Sequence, residues 1–337
     1  MAFRFTRKES FKSGFYRIAQ EQISRALKEW DNDNRPIAVH ETRKCLKRIR
    51  SLLRLFRPVI APDQFRRENA RLRDIGRELS TCRDLQVKLE LTLLLRHQPK
   101  ATTKKPKQAA NLDRALKALH EDLASKIEGS AGSTAAPPRQ RIAKALEAAN
   151  KSLQSVAISS KGFAAVGPGL ELSYKLGRKA MADVIAGRGG EEASHEWRKQ
   201  VQAHWRQTAL LSNAWPELFA ARVALARKLS EELGQDHDLA VLRDYVRKAD
   251  NKKIGADDVK LLCELIDARQ AALREMALAD GALLYAEKPA ELRSRVRKYW
   301  KSARNPPSGK AKQRTIKSVE AQFAQTASAG DPAKTGN

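Results

Sequence analysis

Two histidines occupy equivalent positions in a repeated basic motif. The sequence His-Glu-Thr-Arg-Lys at residues 40–44 returns 155 residues later as His-Glu-Trp-Arg-Lys at residues 195–199. A neutral imidazole can donate one hydrogen bond to a phosphoryl oxygen, and a neighbouring polyanion favours its charged form. Metal binding is disfavoured, because no second histidine or cysteine lies three or four residues from His40 or His195. The motif therefore indicates anion binding, with helix capping or packing by each histidine as the alternative.

The first motif opens a segment with two distinct faces. Placed on a helix at about 100° per residue, residues 40–57 present an apolar stripe from Cys45 to Phe56 and a basic stripe on the opposite side. A solvated outer face is the alternative interpretation, but such faces mix both signs of charge, and Glu41 is the single acid here. The candidate anion-binding residues of this helix are His40, Arg43, Lys44, Lys47, Arg48, Arg50 and Arg54.

The second motif opens a similar helix that carries fewer cations. Gln202 stands where the first half has Lys47, while Trp197 and Val201 belong to the opposing apolar face. His204 falls among the apolar positions, so we expect it to be a core histidine with satisfied hydrogen bonds. The candidate anion-binding residues of this helix are His195, Arg198, Lys199 and Arg206.

A second pair of matching segments lies about forty residues beyond each histidine motif. Residues 83–85, Arg-Asp-Leu, are echoed by residues 237–239, His-Asp-Leu. Each half thus places a cation, Arg83 or His237, before an aspartate that we expect to cap a helix N-terminus. Two separate matches at nearly the same offset indicate an internal repeat, and hence two similar helical bundles.

The elements that must position these residues are helices. Apolar residues recur at helical spacing along most of the chain and no segment alternates as a strand would, so the sequence predicts an all-α fold. Proline-bearing or lysine-rich stretches at 98–111 and 129–140 are expected to be exposed loops. The predicted helices begin near Phe11 and continue at about 37–57, 63–80, 84–97, 109–128 and 139–156, with more between 169 and 299.

We expect three regions along the chain. The segment from Lys161 is rich in glycine and small residues and marks the boundary between the two bundles. The first bundle is then 1–160 and the second 161–304. Residues 305–337 contain few apolar side chains, which predicts a disordered tail.

The composition indicates a polyanionic partner. The chain has 337 residues, with 65 Lys and Arg against 39 Asp and Glu, a net charge of +26. A compact protein with this charge repels itself, so the candidate partners are nucleic acid, an acidic membrane surface or a phosphate polymer. Aromatic residues make up only 6% of the chain, which weakens the nucleic-acid interpretation, because proteins that bind single strands stack bases on exposed rings.

The compartment is expected to be the cytoplasm. Cys45, Cys82 and Cys263 lack the paired spacing of a zinc site or a disulfide framework. The N-terminus has no apolar core of signal-peptide length, and no apolar run approaches the ~18 residues of a membrane span. We therefore expect neither a metal, a cofactor nor a membrane partner, and the sequence does not indicate an oligomeric state.

The two histidine motifs and the two Asp-Leu motifs together resemble the CHAD family, the conserved-histidine α-helical domain. The resemblance covers roughly residues 9–304 and includes Tyr174, Arg178 and Lys179, which are similar to the family's tyrosine-and-basic helix before the second histidine. It implies two bundles related by a pseudo-two-fold axis, whose basic helices line a shared groove or pore that binds inorganic polyphosphate. It also implies an association with polyphosphate granules. Gln202 and Trp205 depart from the family, in which these positions are commonly basic.

The function expected from the resemblance is non-enzymatic binding of polyphosphate. Nucleic-acid binding through the same basic surface is the alternative, because both polymers carry dense phosphate charge. An enzyme that makes or cuts phosphate polymers would generally need carboxylates to hold Mg²⁺, and Asp84 and Asp238 are the only candidates near the basic residues.

Overall fold

The structure is a computed structural model that describes residues 3–79, 84–97, 106–130, 138–248 and 254–305. Over these residues the chain forms eleven α-helices and three short 3-10 segments and no β-strand, which confirms the all-α prediction. None of the described helices is both long and apolar enough to cross a membrane. The helices are α1 (Phe11–Trp30), α2 (Arg35–Leu55), α3 (Pro62–Glu78), α4 (Asp84–His97), α5 (Pro106–Ser130), α6 (Arg139–Gln154), α7 (Gly167–Ile185), α8 (Gly190–Leu210), α9 (Pro216–Lys248), α10 (Ala256–Leu284) and α11 (Pro289–Arg304).

The ends of α2 follow from local chemistry. The side chain of Asn34 caps the N-terminus by accepting a hydrogen bond from the backbone N–H of Ile37 at 3.2 Å. Pro36 lies in the first turn, where its missing N–H has no helical partner to lose. The helix ends at Leu55, shortly before Pro58. The helix that carries the first basic stripe is therefore delimited by its own sequence.

Several predicted boundaries were wrong. Residues 106–108 and 129–130 were expected in loops but belong to α5, because Pro106 can open a helix as well as interrupt one. Residues 109–111 and 139–140 had been placed both in a loop and in a helix, and they belong to α5 and α6. Asp238 was expected to cap a helix, yet it lies inside α9, which continues without interruption through Gly234. Residues 98–105 and 131–137 of the two predicted loops, Arg83, and residues 306–337 of the predicted tail fall outside the described residues.

Two clusters of buried apolar side chains hold the helices together. The larger cluster joins helices from both halves of the chain, including α1, α2, α7, α8 and α11. The smaller cluster packs α4 and α5 against α9 and α10. Each cluster thus contains residues from before and after Lys161, and the division into bundles 1–160 and 161–304 stays a prediction.

The basic helices α2 and α8 pack directly against each other. The side-chain amide of Gln207 on α8 donates to the backbone carbonyl of Ser51 on α2 at 3.4 Å, within the buried interface. Helix α7 then crosses the C-terminal end of α2. A Cβ atom at Gly169 would lie 1.8 Å from the carbonyl oxygen of Leu55, so this crossing requires glycine. The position of α2 therefore depends on a close backbone contact made by the second half of the chain.

We predict that Gly169→Ala lowers the free energy of unfolding by about 3 kcal/mol or more, because the new methyl group must push two helix backbones apart. Chemical denaturation measures the change. Gly76→Ala is the matched control: it lies inside α3, and its Cβ would meet only a Leu46 methyl at 3.9 Å. Because alanine favours a helix interior over glycine, the control should gain about 0.5–1 kcal/mol. Equal stability of the two variants would contradict the close crossing.

Candidate functional site

Three cavities surround the packed pair of helices α2 and α8. The α9 cavity, of about 870 Å³, is bounded by α2, α4, α8 and α9. The α3 cavity, of about 540 Å³, lies between α2, α3 and α8. The histidine cavity, of about 370 Å³, lies where the loop before α8 meets α9. The two basic stripes predicted from the sequence therefore open onto shared cavities.

All the charged side chains that line the α3 cavity in the described part of the chain are basic. No carboxylate side chain of the described residues lines it. It also contains His195, Asn69 and Ser51, but no phenyl, phenol or indole ring of the described part of the chain. Its eight basic side chains are Arg43, Lys47, Arg50, Arg54, Arg73, Arg77, Lys199 and Arg206.

The α9 cavity is basic but chemically more varied. Glu231 and Asp238 line it, together with the apolar side chains of Val87, Trp205 and Val241. Four side chains, two from α2 and two from α8, line both this cavity and the α3 cavity, so they form a common boundary between the two spaces. The four shared residues are Arg43, Lys47, Gln202 and Arg206. The cations found in the α9 cavity but not in the α3 cavity are Lys44, Arg48, Lys88, Arg198 and Arg227.

Arg206 is a buried cation that has no acidic partner among the described residues. Its exposed fraction is 8%, and its Nη1 donates to the carbonyl oxygen of Gln202 at 2.7 Å. Burial, reinforced by the charges of Arg48 and Arg54, lowers the pKa of the Arg206 guanidinium to about 9. A positive charge in this place is costly in the empty protein. An anion bound in either cavity would offset that cost.

The arginines of α2 experience the same crowding. Burial lowers the pKa of Arg50 to about 10, and the positive charges of Arg54, Arg73 and Arg77 add to the shift. The Nε of Arg50 donates to the Asn69 side chain at 3.1 Å, which points the guanidinium toward α3. Burial also lowers the pKa of Arg54. The α3 cavity is thus a place of concentrated positive potential.

The glutamate of each histidine motif holds a lysine. Lys44 donates to Glu41 at 3.0 Å, and Lys199 donates to Glu196 at 2.9 Å. Both pairs span one helical turn, three residues apart. The repeated acid is therefore a positioning residue, because it orders the ammonium group of a lysine that lines one of the cavities.

The three candidate histidines occupy different parts of the site. His40 is half-exposed and lines the α9 cavity, with its Nε2 3.7 Å from a Glu41 carboxylate oxygen. His195 lines the α3 and histidine cavities, and its ring centroid lies 5.4 Å from that of His237. Burial lowers the pKa of His195, and the charges of Lys199 and His237 add to the shift. Burial and Arg198 lower the pKa of His237.

Three of the candidate residues lie away from these cavities. Tyr174 is fully buried, and its hydroxyl donates to the carbonyl oxygen of Glu287 at 3.0 Å. Arg178 donates to the same carbonyl oxygen at 3.3 Å, and Lys179 is an exposed partner of Asp183 at 2.8 Å. None of the three lines the α9, α3 or histidine cavity. Their role in binding stays a prediction without geometric support, and Arg83 is outside the described residues.

His204 is a core residue, as the apolar pattern predicted. It is completely buried, and its ring centroid lies 5.3 Å from that of Tyr174. The expectation of satisfied hydrogen bonds was wrong within the described structure, where neither ring nitrogen has a partner. Burial holds the pKa of His204 well below its usual range, which keeps the ring neutral.

Several cations of the site were not anticipated from the sequence. Arg73 and Arg77 lie on α3, where they alternate with acids such as Asp74 and so read as an ordinary solvated face. Lys88 on α4 and Arg227 on α9 line the α9 cavity. These four cations belong to the site only because their helices pack near α2 and α8, which the sequence pattern does not show. Over the described residues, no three His, Cys, Asp or Glu side chains converge as metal ligands would.

Comparisons with known proteins agree with the helical architecture. A protein-family model described as "CHAD domain" matches residues 17–247. A crystal structure of the CHAD domain from the plant Ricinus communis superposes with a TM-score of 0.56 at 18% identity, covering 83% of this chain and 94% of that one. PptA from Streptomyces chartreusis superposes with a TM-score of 0.52 at 16% identity, covering 83% of this chain and all of that one. No curated protein matches the sequence.

We predict that Arg206→Met stabilises the unliganded protein. Methionine fills a similar volume and removes a buried positive charge that no described carboxylate balances, so the free energy of unfolding should rise by about 1–3 kcal/mol despite the lost hydrogen bond. Thermal and chemical unfolding at low phosphate measure the change. Arg295→Met is the control, because Arg295 is paired with Glu287 and its loss should destabilise the protein. Destabilisation by both changes would mean that Arg206 is a structural cation.

Proposed function

Since the chain belongs to the CHAD domain family, we propose that it binds inorganic polyphosphate without chemically altering it. The binding surface in this proposal is the α3 cavity together with the adjoining cations of the α9 cavity. Because the family is associated with polyphosphate granules, we place its action in the cytoplasm at such granules. The match to the family model suggests the ligand, and the chemistry of the cavities supports the proposal independently.

The observation that carries the proposal is the charge of the α3 cavity. Eight Lys and Arg side chains line it, and no described carboxylate does. A protein surface that only had to be soluble would intersperse acids among these bases. A phosphate polymer supplies the missing negative charge at every repeat unit. Arginine binds two phosphoryl oxygens at once through its planar fork, while lysine acts as a point charge.

The same cavity favours a polymer without bases. The described side chains of the α3 cavity include no indole, phenol or phenyl ring on which a nucleobase could stack. Nucleic acid therefore gains no stacking contact with the described side chains there. A competition assay separates the two partners: duplex DNA that displaced polyphosphate at equal phosphate concentration would argue for general polyanion binding instead.

Binding without turnover agrees with the acids of the site. The Glu231 carboxylate in the α9 cavity is paired with Arg227 at 2.8 Å, and that of Asp238 lies 3.8 Å from Arg198. Carboxylates that hold Mg²⁺ for phosphoryl transfer must be available to the metal ion. Polyphosphate hydrolysis in the presence of Mg²⁺ that disappeared in Asp238→Asn would overturn the non-enzymatic part of the proposal.

We predict that replacing Arg43, Lys47 and Arg54 together by alanine weakens polyphosphate binding at least tenfold at about 0.1 M salt. Each lost phosphate contact also removes counterion release, so the slope of log affinity against log salt should become shallower by about two to three. Titration of labelled polyphosphate at several salt concentrations measures both quantities.

The matched control for this triple variant removes the same charge elsewhere. Arg66, Lys117 and Arg141 are exposed, lie outside the three cavities and are each paired with a carboxylate. The control variant should bind within about twofold of the wild type, and circular dichroism should show both variants folded. Normal binding by the cavity variant, or equal losses in the two variants, would move the binding site elsewhere.

We predict that polyphosphate binding tightens as the pH falls from 8 to 5.5. The lowered pKa values leave His195 and His237 mostly neutral in the free protein at pH 7, and a bound polyanion raises those pKa values. Protons are therefore taken up on binding, so affinity must increase toward low pH. The double variant His195→Gln, His237→Gln should flatten the profile, whereas His120→Gln, which changes a histidine outside the cavities, should not. An unchanged profile in the double variant would give the two histidines a structural role.

A further inference from the structure

Trp205 is the feature of the α9 cavity that binding of a phosphate polymer does not explain. It lines this cavity, which Arg48 and Lys47 also line. The position 155 residues earlier, which the repeat makes equivalent, is Arg50 in the α3 cavity. The two equivalent positions thus present a guanidinium to one cavity and an indole to the other. The Trp205 ring is partly buried against the larger core cluster, and it also lines the cavity, where a phosphate chain has no base to stack on it.

Trp205 is one of three apolar side chains that line the α9 cavity. The other two are Val87 and Val241, and Val241 is 40% exposed. The Arg206 guanidinium lies 4.4 Å from the centroid of the Trp205 ring and holds its orientation. The volume of about 870 Å³ is in the range of cavities that bind whole small molecules.

The ring and the phosphate-binding cations are adjacent. Arg206 contacts Trp205 and also lines the α3 cavity, and Lys47 lines both cavities. Glu231 and Asp238 line the α9 cavity but not the α3 cavity, so carboxylate acceptors for amino groups occur, among the described side chains, on the indole side alone. The α3 cavity therefore offers mainly basic side chains for phosphates, whereas the α9 cavity adds an indole ring and two carboxylates.

We propose that the α9 cavity binds the base of a nucleoside polyphosphate, stacked beside Trp205, while its phosphate chain reaches past Arg206 and Lys47 toward the α3 cavity. This inference rests on the proposed function, because the phosphates use the same cations. It adds a second class of ligand, a nucleotide, which competes with inorganic polyphosphate for the site.

A single bound nucleotide fits better than a strand of nucleic acid. Proteins that bind single strands stack successive bases on several aromatic side chains. Among the described side chains of the α9 cavity, Trp205 is the one indole, phenol or phenyl ring. A single indole ring beside a cavity lined by cations suits a ligand that has one base and one phosphate chain.

The test compares ATP with inorganic tripolyphosphate, which has a similar phosphate chain and no base. Stacking on an aromatic side chain is worth about 1–3 kcal/mol per base, or roughly 5- to 150-fold in affinity. The wild type should therefore bind ATP more tightly than tripolyphosphate by a factor in this range. Trp205→Leu should lose that factor for ATP and keep tripolyphosphate binding within about twofold, and Trp205→Phe should restore part of the ATP affinity.

Trp215→Leu is the matched control. Trp215 is 46% exposed, packs edge-on against Tyr299 and lies outside the three cavities, so its replacement should leave both affinities unchanged. Equal affinities of the wild type for ATP and tripolyphosphate, or an equal loss of both in Trp205→Leu, would overturn the inference and leave polyphosphate binding intact. A single-stranded oligoadenylate that displaced ATP at a lower phosphate concentration would overturn the assignment to a small nucleotide. A wild-type protein that bound neither tripolyphosphate nor long-chain polyphosphate would end the proposed function itself.

Discussion

The structure depends on holding like charges together between two packed helices. Arg48 and Arg54 on α2 each repel Arg206 on α8, whose burial has removed the solvent that would screen its charge. The apolar sides of the same helices supply the opposing force. They are anchored in the larger core cluster and held by the close crossing of α7 over Leu55. The protein therefore maintains a positive potential that its fold alone does not neutralise.

This arrangement couples stability to binding. An anion that enters the cavities relieves repulsion already present in the empty protein, so part of the binding free energy comes from the protein and not from new contacts alone. The glutamate of each histidine motif pairs with a lysine of the same helix. Glu41 and Glu196 each order the lysine one turn away, while the central arginines face the cavities. Moving those two acids to the cavity floor would stabilise the empty protein and abolish the potential that attracts a ligand.

Periodicity and repetition predicted most of the fold and nine of the thirteen Lys and Arg side chains that line the α3 and α9 cavities among the described residues. Apolar spacing located the helices, and the repeat identified α2 and α8 as equivalent basic helices, because both signals are encoded in neighbouring residues. Arg73 and Arg77 could not be selected in this way, since their role comes from α3 packing beside α2. The prediction that Asp238 caps a helix was wrong for a related reason. The Asp-Leu motif occurs in both halves of the repeat, but in the second half it lies inside the long helix α9. Which of these residues line a cavity is decided by tertiary packing, and the pattern of neighbouring residues in a single sequence does not reveal that packing.

The two halves of the repeat differ at a position that lines the two cavities. Arg50 and Trp205 are equivalent in sequence, yet one faces α3 and its arginines while the other faces α9 with its carboxylates. A strictly repeated site would offer the same chemistry at both ends and could not distinguish the direction of a bound chain. Replacing one cation by an indole and placing Glu231 nearby gives the site a polarity. A ligand with chemically different ends can then bind in one direction, whereas a uniform phosphate chain has no preferred orientation.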